Sequence, residues 1–178
     1  AGCIPADREF LQTLREACDR HGIVLIFDEV MSGFRLAKGG AQERFGVIPD
    51  LTTLGKIIGG GMPVGAYGGK KEIMDFVSPA GPVYQAGTLS GNPIAMAAGL
   101  AMLRHLDGHP EVYARLETIG NQLCAGIKSI NASLGLDYTL NQLGSMYSLF
   151  FTSATVTDFE SAKKSDTPLF GRYFQSML

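Results

Sequence analysis

Five consecutive apolar residues, Ile23-Val24-Leu25-Ile26-Phe27, stand between Gly22 and Asp28. A run of this length with no polar alternation has no wet face. It predicts a fully buried strand, parallel rather than antiparallel. The flanking pattern supports an α/β chain. Residues 5–21 predict a helix, with Pro5 in its first turn, Phe10, Leu14 and Cys18 on one face beside Leu11, and Gly22 as the stop. Leu51 to Leu54 and Val64 to Tyr67 predict two further strands, with a turn at Gly59-Gly60-Gly61 between them. The stretch 32–50 reads as mostly loop.

Two helices follow. Pro93 to Leu106 is apolar on nearly every side and predicts a buried helix. Residues 111–134 predict a long amphipathic helix, with Leu116, Ile119, Leu123, Ile127, Ile130 and Leu134 as its stripe. Met146 to Thr152 predicts another strand. Residues 158–178 predict one final helix with Phe170, Tyr173, Phe174 and Met177 inward. Composition changes near 135–144, which places a boundary at about residue 140, with 1–140 before it and 141–178 after it.

Charge and composition narrow the function classes. Lys plus Arg is 15 and Asp plus Glu is 17, a formal charge of −2. That balance argues against a nucleic-acid surface, which needs a basic excess. No apolar run approaches the roughly 20 residues that span a bilayer, so no membrane partner is expected. The start, Ala1-Gly2-Cys3-Ile4-Pro5, lacks the regions of a secretory signal. Three cysteines, odd in number and without metal-ligand spacing, point to a reducing compartment. Glycine is 23 of 178 residues, nearly twice the usual share of about 7%, and charged residues are 18% against about 25%. A ligand-lined domain that also packs against other protein fits both figures.

Three positions carry candidate chemistry. Asp28 follows the apolar run, at the carboxyl end of a predicted parallel strand, where open α/β sheets bind ligands; a cap or turn role is the plainer alternative. Glu29 points to the opposite face, so the two make a poor acid/base pair. Lys56, in Leu54-Gly55-Lys56-Ile57-Ile58-Gly59, has no neighbouring acid in sequence. In an apolar pocket such an amine becomes a nucleophile suited to a Schiff base; on the surface it merely snorkels. Thr88, in Ala86-Gly87-Thr88-Leu89-Ser90-Gly91-Asn92-Pro93, precedes a helix start, which suits an anion or an ordinary N-cap. His105 and His109 are four apart, but Gly108 and Pro110 argue against a continuous helix there, and no metal is expected.

Together Asp28, Lys56 and Thr88 resemble the pyridoxal-phosphate enzymes of the aspartate-aminotransferase fold (fold type I), in the class III or ω-aminotransferase subgroup. Long strings sharpen the likeness. Phe27 to Arg35, Pro49 to Ala66 and Gly81 to Pro93 look like the glutamate-1-semialdehyde 2,1-aminomutases, as do Lys163-Lys164-Ser165-Asp166 and Phe170-Gly171-Arg172. Ser32 stands where many of these enzymes have Thr. The resemblance implies part of an α/β large domain over 1–140 and the start of a small α+β C-terminal subdomain over 141–178. It implies Lys56 as the Schiff-base lysine and proton shuttle, Asp28 on the pyridinium nitrogen, and Val30 packed against the ring. It implies Gly87 and Thr88 on the cofactor phosphate of the neighbouring subunit, hence a homodimer.

The implied reaction is an isomerisation in tetrapyrrole (porphyrin) biosynthesis. It moves an amino group from C2 to C1 of glutamate 1-semialdehyde to give 5-aminolevulinate, starting from the pyridoxamine 5'-phosphate form. A bacterial cytoplasm or a plastid stroma fits the family. Family chains are more than twice this length, so the chain is expected to be an internal fragment with weak activity of its own. The alternatives are an ω-aminotransferase with a separate amino acceptor, favoured less by Gly33-Phe34-Arg35 and Tyr84-Gln85-Ala86, or a noncatalytic fragment serving as an interaction module.

Overall fold

Asp7 opens the first helix. Its side chain accepts from the Glu9 N–H, and α1 runs Arg8–His21 until Gly22 stops it at φ 66°. The helix therefore starts later than Pro5, at the residue with a side chain able to cap it. The computed structural model describes residues 2–178. Within them the chain divides into two compact units, one spanning Asp7–Tyr113 and the other joining the segment through Ala6 to Ala114–Leu178. That break lies near residue 113, whereas the change of composition lies near 140.

In the first unit β1 (Ile26–Asp28) pairs in parallel with β2 (Leu51–Gly55), in the register Ile26 to Leu51 and Asp28 to Thr53. The long connection needed for parallel strands holds α2 (Gly40–Phe45), in a stretch expected to be mostly loop. β3 (Gly65–Gly69) lies antiparallel on the other side of β2. The expected strands, the parallel pairing and the glycine turn are present. The burial is not. β1 is an edge strand, Ile26 is 54% exposed, and Ile23 and Val24 are similarly open. An apolar run reports a preference for burial; it does not report whether the described residues supply a cover.

The short helix α3 (Lys71–Met74) and then α4 (Pro93–Gly108) complete this unit. Asn92 caps α4, accepting from the Ile94 and Ala95 N–H groups. Ala95, Gly99 and Leu106 are buried, but Ile94, Met96 and Leu100 are exposed, so α4 buries one face rather than all sides. That face receives the 3-10 turn Lys56–Gly59. A Cβ at Gly99 would overlap the Ile58 carbonyl oxygen, and one at Gly60 (φ 58°) would overlap that of Ala98. Two backbones thus meet where glycine alone leaves room.

The second unit carries most of α5 (Glu111–Ser133), the hairpin of β4 (Thr139–Leu143) and β5 (Met146–Phe150), and the helices α6 (Phe159–Ala162) and α7 (Thr167–Ser176). Gly120 and Cys124 are the buried residues of α5, while Ile119, Leu123, Ile130 and Leu134 of the expected stripe are exposed. β4, absent from the sequence expectation, hides in the polar string Thr-Leu-Asn-Gln-Leu. The expected single helix over 158–178 is two. Pro168 has no N–H to donate and Asp166 caps a new start through the Leu169 N–H, so the chain restarts there. Phe151 is the buried centre of an aromatic group with Tyr138, Phe170 and Tyr173. Phe170, Tyr173, Phe174 and Met177 still keep about half or more of their surface exposed.

Close backbone packing sets opposite signs for two glycine substitutions. Gly99→Ala forces a methyl into the Ile58 carbonyl and is expected to cost about 1–3 kcal/mol. Gly126→Ala, mid-helix in α5 with nothing near its added methyl, is expected to stabilise by up to about 1 kcal/mol. Thermal or urea unfolding of the two variants checks the pair.

Candidate active site

The carboxyl ends of β1 and β2 lie side by side. The ladder runs one residue past β1, with the Glu29 N–H donating to the Thr53 carbonyl at 2.9 Å. Asp28 is exposed at that end. Its Oδ1 accepts from the Val30 N–H at 3.0 Å and from the Thr53 hydroxyl at 3.1 Å, while Oδ2 accepts nothing among the described residues. Val30 is half-buried and lies against the bare face of Gly55, where an added Cβ would come within 3.3 Å of Val30 Cγ1. Lys56 follows. It sits at φ 49°, a left-handed conformation costly for a side chain-bearing residue, and such strain is concentrated at functional sites. Its side chain is exposed and its amine pairs with no acid among the described residues.

Asp28, Val30 and Lys56 are thus brought to one end of the sheet. Gly87 and Thr88 lie elsewhere in the same unit. Gly87 lines an open cleft of about 1230 Å³ together with Thr53, Ser90 and Gly91. Asp28, Val30, Lys56 and Thr88 are not among its lining residues. Thr88 is exposed in the turn before α4, and Asn92 rather than Thr88 caps that helix. His105 and His109 stack at 4.3 Å, and His109 Nδ1 lies 2.8 Å from the His105 carbonyl. α4 ends at Gly108 with His109 as its non-helical cap, and α5 starts afresh at Glu111, so no continuous helix carries both histidines, as expected. No group of three metal-ligating side chains occurs among the described residues.

Two further acids hold the frame of the site. Glu29 is 2% exposed and turns away from Asp28 as expected. Its carboxylate accepts from the Ser32 hydroxyl, the Ala41 and Gln42 N–H groups and the Gln42 side chain. It therefore ties the segment after β1 to the start of α2. Gly40, at φ 67°, leaves room for that carboxylate. Asp50 is buried just before β2. Its Oδ2 accepts from the Leu25 N–H at 2.7 Å and from Arg15 at 3.0 Å, and its Oδ1 faces Lys70 Nζ at 2.6 Å. The Lys70 hydrogen bond first, then the Leu25 N–H, hold the Asp50 carboxyl well below the ordinary carboxylate range, against the opposing pull of burial. The only sequence signal was an acid between Pro49 and an apolar strand.

The family model for class-III aminotransferases matches residues 1–167. A glutamate-1-semialdehyde 2,1-aminomutase of Cytophaga hutchinsonii is 62% identical over 99% of this chain and 41% of its own length. One of Salinibacter ruber is 60% identical with the same coverage. The chain therefore spans about two-fifths of the length of these relatives. An ω-transaminase from Sphaerobacter thermophilus superposes with a TM-score of 0.85 and 42% identity, over 93% of this chain and 38% of that one. A glutamate-1-semialdehyde aminomutase from Pseudomonas aeruginosa, solved in complex with PMP, gives 0.77 and 26% over 92% and 38%. No helix among the described residues is long and apolar enough to cross a membrane.

The Asp50 cluster carries a pH signature. A carboxylate whose pKa is lowered by folding contributes stability in full above the unfolded value of about 4. That contribution fades as pH falls below it. Acid titration of unfolding stability is expected to fall through this window in the wild type. Asp50→Asn is expected to be less stable by about 2–4 kcal/mol at pH 7 and to show a shallower acid limb.

Proposed function

Since the chain belongs to the class-III aminotransferases, with their fold-type-I α/β architecture, we propose that it carries the catalytic lysine and ring-facing carboxylate of a glutamate-1-semialdehyde 2,1-aminomutase. The observation that carries the reading is the placement of Asp28 and Lys56 on the adjacent carboxyl ends of β1 and β2. The choice of substrate rests on relatives of that name at 62% and 60% identity over nearly the whole chain.

The donor set fits pyridoxal phosphate. A carboxylate with one oxygen uncommitted, an amine without an acid partner and an apolar side chain beside bare glycine backbone stand together. When bound, the cofactor supplies an electron sink for the carbon being deprotonated. Asp28 Oδ2 would accept the ring N–H and so help keep the ring nitrogen protonated. Lys56 Nζ would be the group that attaches the cofactor covalently, and its amine would be the base able to hold or deliver a proton at the substrate carbon. Val30 supports the ring face. Gly87 and Thr88 serve the phosphate of the neighbouring subunit in a homodimer. The substrate is a small molecule, and a bacterial cytoplasm is the proposed setting, in keeping with the bacterial relatives.

A second reading has its own support. The ω-transaminase superposes with a higher TM-score than the solved aminomutase. A transaminase needs a separate amino acceptor and a mutase does not. The protein carrying this chain, given glutamate 1-semialdehyde alone, is expected to release 5-aminolevulinate. Lys56→Ala is expected to lower turnover by about 10²–10⁴-fold. Product formation only when a 2-oxo acid is added would replace the mutase reading with the transaminase one.

A further inference from the structure

Asp28, Thr53 and Tyr67 form one row across the sheet, paired strand to strand in register. Side chains of directly paired residues share a face. On that face the Thr53 hydroxyl reaches Asp28, and both of Asp28's donors, Thr53 and the Val30 N–H, converge on Oδ1. Neither β1 nor β2 contains another titratable residue. Within the two strands, therefore, the Asp28 charge is supported by a hydroxyl and a backbone N–H rather than by a cation. Thr53 also lines the open cleft that Gly87 lines. Its neighbour Thr52 works on the other face, where its hydroxyl accepts from the Gln42 side chain that also reaches Glu29.

An aspartate carboxyl turns freely about its last torsion, because sp³–sp² torsions have broad minima. One donor leaves that rotation open. A second donor on the same oxygen restricts the carboxylate plane and leaves the other oxygen facing outward from the pair.

Resting on the assignment of Asp28 above, we propose that Thr53 is the positioning residue for Asp28. Its hydroxyl, with the Val30 N–H, holds Oδ1, so that Oδ2 is presented to the cofactor's ring nitrogen.

The test uses the cofactor-loaded protein that carries this chain. Thr53→Val removes the hydroxyl and keeps the branched, strand-favouring shape. It is expected to lower kcat about 3–10-fold, with KM within about twofold, and to shift the absorption of the bound cofactor. Thr53→Ser is expected to return both readouts to near wild type. Thr52→Val, on the opposite face, is expected to leave the cofactor absorption unchanged. If Thr53→Val does not fold, Thr53→Ala takes its place with the same expectation. Wild-type kcat and absorption in the hydroxyl-free variant overturn the proposal, as does a loss in Thr53→Ser equal to that in Thr53→Val, or an equal spectral shift in Thr52→Val. A wild type that neither turns over nor attaches cofactor at Lys56 overturns the cofactor reading itself. A wild type that does both beside an unaffected Thr53→Val overturns this proposal alone.

Discussion

A single buried carboxylate anchors the sheet at the end away from the candidate site. Asp50 binds Arg15 of α1, the Leu25 N–H ahead of β1 and Lys70 beyond β3. Its own backbone N–H donates to the Leu25 carbonyl, and its carbonyl accepts from the Lys70 N–H. One helix and all three strands are thereby referenced to one residue. With that end pinned, the parallel register of β1 on β2 follows, and it sets Asp28 opposite Thr53. The cost of burying the charge is offset by good donors on both oxygens, the arrangement that makes a buried ion stable.

At the other end the sheet divides its labour by face. Asp28 and Thr53 share one face; Glu29 and Thr52 work on the other. Two acids adjacent in sequence therefore have different surroundings. Glu29 is saturated with donors and ties β1's continuation to α2. Asp28 keeps one oxygen uncommitted. Lys56 closes β2 in a left-handed conformation, and the turn it begins is seated backbone to backbone on α4 through Gly60 and Gly99. Packing after the lysine thus supports the strained backbone at it.

Much of this was legible in the residues. Gly22, the run into Asp28 and the glycines after Lys56 announce stops, a parallel strand and a turn through local chemistry, and these survive. The functional weight of Asp28 and Lys56 came from the long strings around them, since spacing alone left Lys56 a plausible surface residue. What was not legible depends on distant partners. The exposure of Ile23, Val24 and Ile26 depends on what covers them. The division of the last helix turned on Asp166 and Pro168, a local signal outvoted by the aromatic stripe. The role of Asp50 depends on partners 20 to 35 residues away, and that of Glu29 on donors 12 to 13 residues away as well as nearby Ser32. No spacing rule joins such positions.

The proposed site turns on Lys56 as the point of cofactor attachment. Borohydride reduction of the pyridoxal-phosphate-treated protein carrying this chain, followed by peptide mass mapping, tests it directly. The expected result is a reduced pyridoxyl adduct on the peptide containing Lys56, lost in Lys56→Ala. An adduct on another lysine, or none with excess pyridoxal phosphate, would contradict it.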